Sequence, residues 1–173
     1  MKRRGFLTVL FAAGLGGLVI KPEIARGFDK KREQKNKNKQ EAVDRQIKSD
    51  SEWKQILTPE QYAITRQQGT EAPYSSPLLE IHENGVFECV CCSLSLFSSK
   101  TKFDSHTGWP SFWAPISERH ITKKIDNSLG ETRTEVLCAR CDAHLGHVFE
   151  DGPGPTGLRY CMNGIALKFE KSA

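Results

Sequence analysis

A mainly β domain entered through two short helices is the fold the sequence predicts, and two observations predict it. From Val86 onwards the apolar residues come in short runs broken by Gly, Pro and Ser clusters, the pattern of short strands. Before them, residues 49–69 carry two helix-start signatures and a closing glycine. Four cysteines in two pairs, spaced i and i+3, add that the strands are stapled.

Taken in order, the first 27 residues read as an address. Met1-Lys2-Arg3-Arg4-Gly5-Phe6-Leu7 is a basic segment with paired arginines before two large apolar residues, and Phe6 to Ile20 is free of charge. This resembles a twin-arginine (Tat) export signal, too short and too glycine-rich for a comfortable membrane span. Ala25 and Gly27 allow cleavage before Phe28. A cleaved signal releases the domain into the periplasm or an equivalent extracytoplasmic compartment, and an uncleaved one would tether it to the membrane there.

Residues 28–48 are rich in Lys, Asn and Gln and have no aromatic residue after Phe28, so they read as a polar basic linker. The domain proper is assigned to residues 49–173. From Ser49 on, 12 Lys and Arg stand against 16 Asp and Glu, a net of −4, although the whole chain is +4. That sign excludes nucleic acid as a natural partner.

The first helix is expected to start at Ser51 and to bring Trp53, Ile56 and Leu57 to one side. Thr58-Pro59-Glu60-Gln61 supplies an N-cap, a first-turn proline and a capping-box glutamine for the second, which Gly69 closes. In His82-Glu83-Asn84-Gly85, the Asn-Gly pair predicts a hairpin turn.

The cysteine pairs are Cys89 with Cys92 and Cys138 with Cys141, each within a turn that aims two sulfurs at one point. Together they make the four-thiolate set that zinc takes at structural sites, with no position left open for water or substrate. Two disulfides are the competing outcome in an exported protein, disfavoured because a C-x-x-C turn is a poor geometry for one.

Between the pairs lies Thr101 to Trp113, where Gly108-Trp109-Pro110 pushes an indole outward at a turn; Phe103, Phe112 and Trp113 are read as core. After the second pair, His144-Leu145-Gly146-His147 would send its imidazoles to opposite faces of a regular strand. Gly146 permits a bulge that brings them together, which suits proton delivery. A second metal and ordinary structural histidines are the alternatives. Further on, Arg159, Cys161 and Asn163 point the same way if Gly157 to Gly164 is extended, placing a cation, a thiol and an amide on one row. The plain alternative makes Cys161 a small buried apolar residue.

In order and spacing these blocks resemble methionine sulfoxide reductase B, the R-sulfoxide-specific family, from about Trp53 to Phe169. The matching stretches are Gly69-Thr70-Glu71-Ala72-Pro73, the two cysteine pairs, Lys102-Phe103-Asp104-Ser105 leading into Gly108 to Phe112, His144 to Phe149, Asp151-Gly152-Pro153 and Arg159 to Asn163. The resemblance implies a β-tent of two antiparallel sheets, with one structural Zn2+ away from the active site. It implies Cys161 as nucleophile, forming a sulfenic acid. His144 and His147 would bind and protonate the sulfoxide oxygen, and Trp109 would hold the methyl group. Arg159 and Asn163 would tune and position the thiolate, and Asp151 would support the histidine pair. Partners would be oxidised protein substrates and a thioredoxin-like or other thiol reductant, met by a monomer acting in protein repair under oxidative stress.

One position departs from the family. Many members carry a resolving cysteine directly before Gly-Trp-Pro, where this chain has Thr107. Cys91 is the remaining thiol, and it sits inside a knuckle that the family fold places far from Cys161. Direct reduction of the sulfenic acid by an outside thiol is therefore expected. A zinc-ribbon binding module and a thiol-disulfide oxidoreductase working through a C-x-x-C pair are the two other classes these residues allow.

Overall fold

The computed structural model describes residues 43–172; the stretch read as an export signal and residues 28–42 of the expected linker lie outside them. Among the described residues, no helix is long and apolar enough to cross a membrane.

Helix α1 (Asp50–Ile56) starts at Ser49, two residues before the expected cap. Ser49 and Glu52 complete a capping box, each satisfying the other's backbone N–H, and this reciprocity selects Ser49 over Ser51. Trp53 and Leu57 are buried, whereas Ile56, expected beside them, faces solvent. Leu57 succeeds because the chain turns extended there and swings its side chain inward. Helix α2 (Pro59–Gln67) begins as expected, with Thr58 capped on Gln61 and Pro59 in the first turn. At its end Gln68, not Gly69, takes the left-handed position, and the Gly69 N–H closes on the Ala63 carbonyl.

The expected hairpin at Asn84-Gly85 is absent. The chain reaches this point from a 3-10 turn over Pro77–Glu80, so there is no preceding strand to fold back on. Gly85 instead opens strand β1 (Gly85–Cys89), where a Cβ would lie 2.4 Å from the Phe169 ring and the Glu170 carbonyl. Its glycine serves close strand packing.

The remaining strands are β2 (Ser95–Ser98), β3 (Lys102–Phe103), β4 (Ser111–Phe112), β5 (Ile121–Asp126), β6 (Arg133–Cys138), β7 (His144–Phe149), β8 (Arg159–Met162) and β9 (Leu167–Lys171). They form two antiparallel sheets, β2-β1-β9 and β3-β4-β8-β7-β6-β5. Mainly β with two antiparallel sheets and two short helices is the architecture the sequence predicted.

Aromatic rings join the sheets. Phe97 from the smaller sheet stacks on Phe112 from the larger at 4.5 Å between centroids, with Phe87 edge-on at 4.9 Å and Tyr160 at 5.7 Å. All four are fully buried, each burial contributing about 1.5–3 kcal/mol. Phe112 and Tyr160 are cross-strand partners in β4 and β8. Because side chains alternate along a strand, anchoring these two in the core sends Ser111 and Cys161 to the opposite face. The core thus sets the register on which the site depends.

Candidate functional site

The site is a row of cross-strand partners on the face of the larger sheet away from the core. Phe103 pairs with Ser111, Ser111 with Cys161, Cys161 with His147, and His147 with Glu135. His144 joins this face through a β-bulge. The β6–β7 register pairs Val136 with Gly146 and Leu137 with His144, so Leu145 is the extra residue. One added residue brings the imidazoles, three apart in sequence, to the same side, with ring centroids 5.5 Å apart at 66°. Gly146 is needed at this point: its φ is +151°, and a Cβ would lie 2.2 Å from the Cys161 carbonyl oxygen.

Each imidazole is held by a carboxylate that the sequence did not single out. His144 Nδ1 lies 2.7 Å from Glu135 Oε1, which also accepts from Gln68 Nε2 at 3.0 Å. Both His144 and Glu135 are buried. Burial pushes the His144 pKa down, opposed by Glu135, so a neutral ring donates through Nδ1 and leaves Nε2 as the free nitrogen. His147 Nε2 lies 2.8 Å from Asp126 Oδ2, which Arg133 also grips at 2.6 Å. Asp126 is held well below the usual carboxylate range, first by Ser128 and then by His147 and Arg133. An ionised Asp126 only accepts, so His147 donates through Nε2 and turns Nδ1 to other partners.

Asp151, expected to support the histidines, is bonded elsewhere. Its two oxygens accept from Arg159 Nε and an Arg159 terminal nitrogen at 2.8 Å each, a bidentate clamp. The Arg159 guanidinium also lies 4.4 Å over the Phe149 ring, its cross-strand partner. Asp151 and Phe149 together aim Arg159 along the row towards the thiol.

Cys161 is half-buried, and burial raises its pKa above the ordinary thiol value. Thr107, then Arg159, then Ser111 oppose that rise without overcoming it. Thr107 Oγ1 is 3.9 Å from the sulfur and continues a hydroxyl chain through Ser105 at 2.8 Å to Ser111 at 2.7 Å. Thr107, at the position where the resemblance in the sequence would place a resolving cysteine, therefore abuts Cys161 and offers an alcohol.

Trp109 is half-buried two residues before Ser111, its Nε1 donating to the Glu71 carbonyl at 3.2 Å. Asn163, expected beside the thiol, has its amide committed to backbone: Oδ1 accepts from Glu71 N at 3.1 Å and Nδ2 donates to the Leu145 carbonyl at 3.3 Å. The buried Glu71 carboxylate accepts from Gly164 N at 2.5 Å and Ile165 N at 2.9 Å. Glu71 and Asn163 thus tie the indole, the bulge and the end of β8 into one frame. Glu71 lies within a stretch already prominent in the sequence, but its role depends on residues more than ninety positions away.

The metal-type cluster forms at the knuckles. Cys89 ends β1 and Cys138 ends β6; each starts a turn whose residue after the second cysteine, Ser93 or Asp142, is left-handed. The four sulfurs lie within 4.8 Å of one another, Cys89 to Cys141 at 3.7 Å and Cys92 to Cys138 at 3.6 Å. A tetrahedron with metal–sulfur bonds of about 2.3 Å has edges near 3.8 Å, whereas a disulfide needs about 2.05 Å. The cluster therefore fits a metal ion and not a pair of disulfides. Residues 45 and 46, assigned to the linker, touch the second knuckle: Arg45 bonds Asp142 and the Ala139 carbonyl, and Gln46 N donates to the Arg140 carbonyl.

Residues 57–171 match the family described as the SelR domain. The peptide methionine sulfoxide reductase MsrB of Hahella chejuensis is 54% identical over 130 residues, covering 75% of this chain and 94% of that protein. The enzymes of the same name from Methanosarcina barkeri and Leptospira interrogans are 55% and 52% identical, covering 71% and 72% of this chain and 87% and 95% of theirs. Among solved structures, the Mis18 "Yippee-like" domain aligns with a TM-score of 0.43 and 18% identity over 53% of this chain and 99% of its own, too slight a likeness to bear on function. The resemblance in the sequence and the match across most of the domain agree: this chain belongs to the SelR family, that of the peptide methionine sulfoxide reductases MsrB.

Proposed function

We propose that this chain reduces methionine-R-sulfoxide in oxidised proteins to methionine, with Cys161 as the nucleophile. Membership of the family supports methionine sulfoxide reduction with a thiol as the final reductant. The observation that carries the mechanism is the pairing of Cys161 with His147 across β8 and β7, with His144 brought to the same face by the bulge.

The Cys161 sulfur attacks the sulfoxide sulfur as a thiolate. The proton that the Cys161 thiol gives up is taken by a free imidazole nitrogen of the pair and handed to the sulfoxide oxygen, which passes to the cysteine sulfur as methionine leaves. Cys161 ends as sulfenic acid and the methionine sulfur has gained the electron pair. A thiol of the donor then forms a mixed disulfide with Cys161 and releases water; a second thiol restores Cys161 and leaves the donor oxidised. Arg159 stabilises the thiolate, Asp151 holds Arg159 in place, Trp109 holds the methyl group, and Asn163 maintains the frame. With Thr107 in the resolving position, the donor is an external thiol of the thioredoxin or glutathione type.

The four-thiolate cluster supports zinc as its ion, since soft thiolates in a closed tetrahedron are its usual structural environment. Cys89, Cys92, Cys138 and Cys141 would hold it, and bound there it cross-links the two sheets through the ends of β1 and β6. The N-terminal sequence supports Tat export, and repair outside the cytoplasm by a monomer completes the proposal.

The test is reduction of a methionine-R-sulfoxide peptide with dithiothreitol as donor, beside the S-epimer and Cys161→Ser. Turnover confined to the R form and abolished by Cys161→Ser is expected; no turnover by the folded, metal-loaded protein would overturn it. Export is tested by fusing residues 1–27 to a reporter, with Arg3→Lys and Arg4→Lys together expected to retain it in the cytoplasm.

A further inference from the structure

Beside Trp109 the surface opens into a hollow of about 410 Å³ that Cys161 and the two site histidines do not line. Leu79, Ile81, Phe103 and Trp109, each half-buried, give it apolar carbon, and Glu80, His82, Lys102 and Asp104 line it as well, so the hollow is mixed in character.

Two relationships join it to the row of reacting groups. Phe103 pairs with Ser111 and Ser111 with Cys161, so the Phe103 ring shares a sheet face with the thiol. Trp109 borders the hollow and leads directly into Ser111. At about 4.8 Å per strand, Phe103 stands roughly 10 Å from Cys161, a span that an extended peptide covers in about three residues.

The outer wall is unusual. Tyr74 is 69% exposed, yet its ring is not free to move: its hydroxyl donates to the His106 carbonyl at 2.8 Å and its N–H to the Gly108 carbonyl at 2.7 Å. Its φ of +62° is one that a bulky residue rarely adopts. A large ring kept in solvent at the expense of backbone strain has no explanation in core packing, and strain of this kind collects where ligands are held.

Building on the reductase reading, we propose that this hollow is a subsite for the oxidised polypeptide. It takes an apolar or aromatic side chain within three residues of the methionine sulfoxide, between Tyr74 on the outside and Phe103 and Trp109 within. The chain would then be selective for oxidised methionines in apolar surroundings, such as those bared when a protein core opens.

The experiment compares kcat/KM of the full chain for three substrates: N-acetyl-methionine-R-sulfoxide amide, a heptapeptide with phenylalanine two residues from the sulfoxide, and the same peptide with serine there. A preference for phenylalanine over serine on the order of tenfold is expected. Tyr74→Ala and Ile81→Asp should each reduce it to near unity, while turnover of the small substrate stays within about twofold. The small substrate reports folding as well as chemistry. No preference in the unmodified chain, or variants that depress all three substrates alike, would overturn the subsite. Absence of turnover even of the small substrate would instead bring down the reductase reading, and the subsite with it.

Discussion

Cys161 and His147 are direct partners across β8 and β7, and a Cβ on Gly146 would strike the Cys161 carbonyl. Thiol, imidazole and bulge are therefore one backbone arrangement. Gly146→Ala must either flatten the bulge or push β7 away from β8. We expect a loss of about 1–3 kcal/mol of stability, with kcat/KM falling further than stability alone accounts for. Thermal unfolding and R-sulfoxide turnover on the same preparation check this; an active, equally stable variant would mean that the bulge does not set the site.

The carboxylates behind the histidines should matter through the imidazoles. His147→Asn is expected to lower kcat/KM by about 10²–10⁴-fold. Asp126→Asn keeps the shape but removes the charge that fixes the His147 tautomer, so a smaller loss is expected, together with a shift in the pH profile. Unchanged activity and pH dependence in Asp126→Asn would remove Asp126 from this role.

Because burial raises the Cys161 pKa above that of an ordinary thiol, its thiolate fraction at neutral pH is lower than that of an exposed cysteine and grows as pH rises. Alkylation of Cys161, followed by mass spectrometry of its peptide, should accelerate with pH through a midpoint higher than that of a free cysteine measured beside it. Thr107→Ala and Arg159→Met each remove a group that stabilises the thiolate and should move that midpoint higher. A midpoint at or below that of the free cysteine would contradict the dominance of burial.

Metal analysis should find one zinc per chain. Cys138→Ala breaks the set at the end of β6, on the strand that carries Glu135, and is expected to cost several kcal/mol because metal binding and folding are linked. Chelation should lower the unfolding temperature of the unmodified chain. Full stability after complete metal removal would show that the knuckles fold without it.

The sequence by itself determined whatever is carried by near neighbours. Two C-x-x-C turns aim sulfurs locally, Thr58 and Gln61 cap a helix within one turn, and Gly146 marks the place of the bulge. Ser49 and Glu52 were equally legible, since their three-residue spacing is a capping box, which Ser51 lacks because Gln55 lies four residues on. Tertiary structure alone decided what depends on strand register. Glu135 and Asp126 lie 9 and 21 positions from the histidines they hold, and acidic residues on strands are too common for spacing to single them out. Asp151 shows the converse: it lies four residues beyond His147, yet its carboxylate is bonded to Arg159. Asn84-Gly85 failed as a hairpin because a turn dipeptide needs a strand on each side, and the chain supplies only one. Register follows from which residues the core buries, and the burial of Phe112 and Tyr160 sends Cys161 to meet His147.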